Sequence, residues 1–361
     1  MDERRSTPVT YEAPPNIALV KYWGVRDRAL ALPFNSSISV TLDRLRSRTT
    51  VRFDPDAEDD VVELNGEPAR GSPRDGVVRM LDRVRDLAEI TDRASVVSAN
   101  NFPTASGLAS SASGFAALAG AATAAAGLKL SPRALSQLAR FGSGSACRSV
   151  FGGFVEWQAG RRADGRDCYA RPIRGPAHWP ELVDLVLLVR GAPVKEVRSQ
   201  DAMQASVRTS PYFRERQREL PARTRRIRAA IVARDAARLF PLIMEECDSF
   251  RRACETTDPP LDYLTTTSRA ILDEVHELNR SARRPIAGYT HDAGAHVHVF
   301  ALAGDLARVR RALAPISGVE RTMVVRPGPG GRIVRGASGA TGRAGRSRGT
   351  AVRARSTRRA R

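Results

Sequence analysis

A small-residue loop and three ionisable side chains are the parts of this sequence best suited to chemistry. Asn100 to Gly114 reads NNFPTASGLASSASG, and an alanine-dominated helix follows until Gly127. Gly107 and its small neighbours let a backbone approach an anion closely, and the N–H groups of a first helical turn favour phosphate there. Ser110 and Ser111 add hydroxyl donors, or a ligand for Mg²⁺ carried in with a nucleotide. No Gly-Lys-Ser/Thr follows as in a Walker loop, and the spaced glycines of a dinucleotide fingerprint are missing. Taken alone, the segment reads either as a phosphate cradle or as an ordinary tight turn. Asp292, before Ala-Gly, reads as a base or as a turn and cap residue. Arg148 reads as a carboxylate clamp or as a solvated surface group. Lys21, closing an apolar strand, reads as a binding cation or as an edge residue whose stem is buried.

These groups need a scaffold, and the patterning supplies one. Asn16 to Lys21 and Ser37 to Leu42 read as strands, the second alternating as a half-buried strand does. Arg48 to Phe53 and Val61 to Leu64, closed by Asn65-Gly66, read as a hairpin. Asp75 to Leu87 carries a helical apolar stripe at Val77, Val78, Leu81, Val84 and Leu87. A strand from Ala94 to Ser98 leads into the loop, and a second helix covers Pro132 to Phe141. Phe151 to Trp157 and Val183 to Val189 are strands. From Gln200 to Asn279 the pattern is mainly helical, broken at Pro211, Pro221 and Asp258-Pro259-Pro260. Strands at Ala287 to Thr290 and Val297 to Leu302, a helix from Asp305 to Leu313 and a strand from Arg321 to Val325 complete it. Such mixing indicates an α+β protein in two layers, with a boundary near residue 190.

With 361 residues, 42% hydrophobic, the chain is long enough for a sizeable core. No run approaches the roughly 18 apolar residues of a membrane span, and the start lacks a secretory pattern. A cytoplasmic protein with no membrane partner is expected. Cys147, Cys168, Cys247 and Cys254 are scattered without a Cys-x-x-Cys pair, which suggests reduced thiols. His291, His296 and His298 are spaced like alternate strand residues, yet no metal site is expected. The net charge of +19 is uneven: ten arginines and no acidic residue lie after Gly330. Residues 331–361 therefore read as a disordered arginine-rich tail, able at most to bind nucleic acid nonspecifically.

PTASGLASSASG matches the Pro-x-x-x-Gly-Leu-x-Ser-Ser-Ala motif of the GHMP kinase superfamily, and the wider segment resembles the diphosphomevalonate decarboxylase version of it. APPNIALVKYWGVRDRALALPFNSSISVTLD (Ala13 to Asp43), GSGSACRSVFGGFVEW (Gly142 to Trp157) and YTHDAG (Tyr289 to Gly294) are similar to that family's segments, in its order, over about residues 9 to 330. The resemblance implies a two-layer GHMP-kinase-like fold. An N-terminal βαβ ATP-binding domain would span 1–190, and a C-terminal ferredoxin-like α/β domain 191–330. It implies a homodimer and an ATP-dependent decarboxylation: a tertiary alcohol is phosphorylated, and that phosphate leaves together with CO₂. ATP with Mg²⁺ would be the cosubstrate and a small-molecule diphosphate the substrate.

By the same resemblance, Asp292 is the catalytic aspartate, with Lys21 and Arg148 beside it. Asn16, Lys21, Tyr22, Ser143, Ser145, Arg148, Ser199 and Met203 would bind substrate. Gly107, Leu108, Ala109, Ser110 and Ser111 would carry the triphosphate. The chain departs from the family pattern at Val25, where a lysine that contacts the diphosphate is usual, with Arg26 or Arg74 as candidate replacements. Further departures are His291, Ala295-His296 and Ala202. A monophosphate decarboxylase, or a kinase of the 3-hydroxyl, are alternatives on the same fold.

Overall fold

In a computed structural model of the chain, which describes residues 7–102, 110–192 and 198–334, three main β-sheets carry the helices. A six-stranded sheet runs in the order Arg332–Val334, Val9–Ala13, Ser47–Asp54, Arg93–Asn100, Val61–Leu64, Glu67–Pro68. Strand Ser47–Asp54 alternates between buried and more exposed residues, so one face of this sheet is packed and the other faces outward. The packed face holds helix Gly71–Ala88 through Val77, Met80, Leu81 and Val84, and helix Ser110–Ala125 through its alanines. Helix Ser110–Ala125 is buried nearly all round, which small side chains permit. At Gly120 a Cβ would lie 2.5 Å from the Tyr11 ring, so the helix can approach strand Val9–Ala13 only with glycine there.

A second sheet is ordered Ala170–Arg174, Phe154–Trp157, Ser37–Thr41, Asn16–Val20. The third is ordered Ala287–Thr290, Val297–Leu302, Leu182–Val189, Val319–Val325, all pairs antiparallel. Counted along the chain, its order is second, third, first, fourth, the ferredoxin-like arrangement. Helices Phe213–Ala233 and Ala236–Glu255 join the second and third sheets in one core, where Ile17, Val40 and Phe154 meet Ile227, Phe240, Val186 and Phe300.

Several expectations are corrected. Leu182–Val189 pairs with Val297–Leu302 and Val319–Val325, so a cut at residue 190 would separate this strand from its own sheet. Arg332–Val334, expected in the tail, pairs antiparallel with Thr10 to Glu12; residues 335–361 lie outside the described residues. Val61–Leu64 does not pair with Ser47–Asp54. It runs parallel to Arg93–Asn100 and turns at Asn65-Gly66, both with positive φ, into Glu67–Pro68. Helix Phe213–Ala233 continues through Pro221. An interior proline costs about 3 kcal/mol, and here Arg216 and Arg223, on either side of it, both bind Glu246 of the facing helix. None of the described helices is long and apolar enough to cross a membrane.

Glu246 is fully buried, with Arg216 at 2.6 Å and Arg223 at 3.1 Å. Its Oε1 also accepts the backbone N–H of Lys21 at 3.0 Å. Removing one member of a buried ion pair leaves uncompensated charge. Glu246→Ala is expected to lower unfolding free energy by about 3–5 kcal/mol in urea denaturation; a loss below about 1 kcal/mol would show that the cluster does not hold these helices.

Candidate active site

Lys21 follows the last residue of strand Asn16–Val20 and is held at both ends of its peptide unit. Glu246 accepts its N–H, and the Asn35 amide donates to its carbonyl at 2.9 Å. Its side chain is 3% exposed, and its Nζ lies 2.8 Å from Asp292 Oδ1. Asp292 sits in the short turn between strands Ala287–Thr290 and Val297–Leu302. Burial disfavours the Asp292 carboxylate, but the charge and hydrogen bond of Lys21, with smaller help from His298 and Arg148, together hold its pKa below the usual carboxylate value.

The His291 Nδ1 lies 2.7 Å from the Asp292 carbonyl and so carries a proton donated to it. Burial, helped by Lys21, lowers the His291 pKa to about 4, so the ring is neutral at neutral pH. The other two histidines have partners of their own: His296 Nδ1 accepts from Val189 N–H, and His298 Nδ1 is 2.7 Å from Asp184. Among the described residues, no group of three or more His, Cys, Asp or Glu is placed to hold a metal.

Arg148 lies in the short helix Ala146–Ser149 and is 2% exposed. Its Nε donates to Asn16 Oδ1 and Ser39 Oγ, and its Nη1 to Ser37 Oγ at 2.6 Å. These partners are neutral, and burial lowers the Arg148 pKa. A buried guanidinium fixed along one edge by uncharged oxygens favours an anion at its other edge. The serines that fix it were legible as polar alternates in the strand Ser37–Thr41, where Ile38 and Val40 face the core.

One cleft of about 960 Å³ gathers Lys21, Tyr22, Ser143, Ser145, Arg148, Ser199, Met203, Asp292, Ser110 and Ser111. Gly107, Leu108 and Ala109 lie outside the described residues. Ser111 Oγ is 3.4 Å from Ser143 Oγ, so the start of the alanine-rich helix meets the Ser143–Ser145 turn. Ser98 and Asn100 of the six-stranded sheet, and Asn65 in the turn between two of its strands, line the same cleft.

Asn16 is the exception. It is 2% exposed and absent from the cleft wall; its amide donates to Ser149 Oγ and the Ser145 carbonyl while its oxygen takes Arg148. It positions Arg148 and does not line the cleft. Gly144 explains the narrow turn beside it, because a Cβ there would lie 2.6 Å from the Tyr22 ring. Burial pushes the Tyr22 phenol well above its usual pKa.

Two family models match the chain. The Diphosphomevalonate decarboxylase-like N-terminal domain matches residues 13–170, and the Mevalonate 5-diphosphate decarboxylase C-terminal domain matches residues 185–325. The chain belongs to the diphosphomevalonate decarboxylase family. Its similarity to the family's human member is 41% identity over 318 residues, covering 83% of this chain and 78% of that protein. With the Saccharomyces cerevisiae diphosphomevalonate decarboxylase it is 42% over 305 residues, covering 81% and 77%. Among solved structures, the Staphylococcus aureus mevalonate diphosphate decarboxylase matches with TM-score 0.85 and 33% identity, over 91% of this chain and 98% of that one. A complex described as MDDEF with MVAPP, AMPPCP and magnesium matches with TM-score 0.84 and 36% identity, over 91% and 99%. The GHMP-kinase-like fold expected from the sequence is thus the fold of this decarboxylase family.

Because Lys21 contributes most of what opposes burial at Asp292, Lys21→Met raises the Asp292 pKa. An acid limb set by Asp292 should move to higher pH in the pH–rate profile of Lys21→Met. The pair's contribution to stability is present above the ordinary carboxylate pKa and is lost as pH falls through the depressed one. If turnover is too low to measure, the pH dependence of melting reads the same shift; an unmoved limb and an unmoved melting profile would remove Lys21 from this role.

Proposed function

We infer that this chain catalyses the ATP-dependent decarboxylation of mevalonate diphosphate to isopentenyl diphosphate, ADP, phosphate and CO₂. The observation that carries the reading is the Lys21–Asp292 pair at 2.8 Å in the same cleft as Arg148 and the serines that open the alanine-rich helix. The likeness to a solved complex with MVAPP, AMPPCP and magnesium supports it.

The roles follow from charge and placement. Asp292 is kept ionised, which makes it a weak base toward a free alcohol. Phosphoryl transfer to the 3-hydroxyl acidifies that oxygen as the new P–O bond forms, and a loose transition state needs the proton accepted only then. Asp292, 28% exposed, therefore takes the proton late and releases it to solvent, as its depressed pKa favours; as a carboxylate again it faces the carbon as phosphate departs and stabilises developing positive charge. Lys21 fixes the carboxylate's position and balances its charge. Arg148 holds the substrate carboxylate with its remaining guanidinium edge, orienting the C–C bond that breaks. Ser110 and Ser111 receive the triphosphate at the helix N-terminus, and Gly107, Leu108 and Ala109, which precede them in sequence, are assigned to it on the resemblance alone. Mg²⁺ bound to ATP neutralises phosphate oxygens, which fits a cleft whose described donors at this end are hydroxyls rather than a carboxylate cage.

A homodimer in the cytoplasm is proposed on the resemblance alone, with nucleic acid binding confined to nonspecific contacts of the tail.

A second reading, decarboxylation of the monophosphate, is favoured by one feature. Val25 packs with the apolar cluster of Trp23, Met203 and Phe213 and brings no charge to the cleft. Wild-type enzyme given ATP with the diphosphate or the monophosphate should release ADP and CO₂ in equal amounts, faster with the diphosphate. ADP without CO₂ would sink the decarboxylase reading. Asp292→Asn is expected to lower kcat by roughly 10³-fold or more with KM little changed; near-normal turnover would take Asp292 out of the mechanism.

A further inference from the structure

The substrate's diphosphate needs cations at the cleft end away from the nucleotide, and neither replacement suggested by the sequence supplies them. Arg26 is turned away, its Nε donating to the Pro33 carbonyl and its Nη2 to Ala159 and Arg162 carbonyls. Arg74 is bound to Asp59 at 2.7 Å and to the Asp60 carbonyl. Besides Lys21 and Arg148, the cleft-lining cations are Arg28, Arg79, Arg83 and Arg198. Arg79 and Arg83 belong to helix Gly71–Ala88, on the wall shared with Ser98 and Asn100, and Arg83 lies over the Phe141 ring. That leaves Arg28 and Arg198 for the opposite end.

We propose that Arg28 and Arg198 form the subsite for the substrate's terminal phosphate, and that they set the preference for a diphosphate over a monophosphate. Arg28 stands at the tip of the hairpin formed by Val25–Asp27 and Leu32–Pro33. The tip is shaped by the Leu30 N–H donating to Asp27 Oδ1 and by positive φ at Ala31. Gln204 ties this hairpin to helix Ser199–Thr209 by donating to the Val25 carbonyl. Arg198 precedes that helix, which starts without a side-chain cap, and among the described residues its first two amides, of Ser199 and Gln200, bind no acceptor and are left to an anion. Among the described residues the Arg198 side chain has no hydrogen-bond or ion-pair partner. The only such partner of the Arg28 side chain there is Asp201 at 3.6 Å, with both side chains more than half exposed. Such a pair is weak and yields to a phosphate that accepts a bidentate guanidinium contact. Hairpin tip and helix start thus present two arginines to one ligand, from segments that meet only in the folded chain.

This proposal rests on the decarboxylase reading, and the experiment separates the two. Steady-state KM and kcat are measured with ATP and either mevalonate diphosphate or the monophosphate, for wild type, Arg28→Ala, Arg198→Ala, the double variant and Arg28→Lys. Each single alanine variant should raise KM for the diphosphate roughly tenfold and the double variant roughly 100-fold, with kcat held within about threefold. Monophosphate KM should change by less than about twofold, and Arg28→Lys should keep most of the wild-type KM for the diphosphate. Equal KM increases with both substrates, no increase with either, or a fall in kcat alone would overturn the subsite. Unchanged melting temperatures separate these results from misfolding. Wild-type enzyme that releases ADP without CO₂ would sink the decarboxylase reading while leaving the subsite to be judged from the same KM values for ADP release. Wild-type enzyme inert toward both substrates would overturn both.

Discussion

Lys21 is tied at three points, and each tie reaches a different part of the chain. Its N–H goes to Glu246 in a C-terminal helix, its carbonyl to Asn35 before the strand Ser37–Thr41, and its ammonium to Asp292 between two strands of the third sheet. The Lys21–Asp292 pair therefore exists only when the two halves of the protein are docked. The joint core of Ile17, Val40, Phe154, Ile227 and Phe240 supplies the apolar burial for that docking. Glu246, with Arg216 and Arg223, supplies its register, since those charges have few other ways to be satisfied in the interior.

Charge in the site is divided between two kinds of buried arginine. Arg216 and Arg223 are neutralised by Glu246 together with Glu219 and Glu245, and they serve the fold. Arg148 is equally buried but is given only neutral oxygens from Asn16, Ser37 and Ser39. The difference lies in the partners rather than in the residue type. It marks Arg148 as the cation with charge left for a ligand, close to a carboxylate already satisfied by Lys21. Asp292 is thereby kept ionised without becoming a strong base, which suits proton acceptance late in phosphoryl transfer better than deprotonation of a free alcohol.

Much of the scaffold was written in local pattern. Ala287–Thr290 and Val297–Leu302 agree with the strands read from sequence, because their burial is continuous and their ends carry loop residues. Patterning failed where a long-range partner overrode it. Val61–Leu64 looks like the return strand of a hairpin, yet it pairs parallel with Arg93–Asn100 because helix Gly71–Ala88 crosses over between them. Pro221 looks like a helix break, but the flanking arginines bind a carboxylate on another helix and carry the helix through it.

The sequence by itself determined the family, and it singled out Lys21, Arg148 and Asp292, which the fold brings to one cleft, because these reside in short contiguous segments whose residue types meet a chemical demand. It could not assign Asn16, which lies in such a segment yet turns behind Arg148 instead of lining the cleft. Nor could it say what stands in for a lysine at Val25. Arg26 is adjacent in sequence and points away, whereas Arg28 and Arg198, 170 positions apart, line the same cleft. Only the tertiary structure decided these, since a side chain's direction and its distant neighbours depend on how strands and helices pack, and spacing along the chain does not encode them.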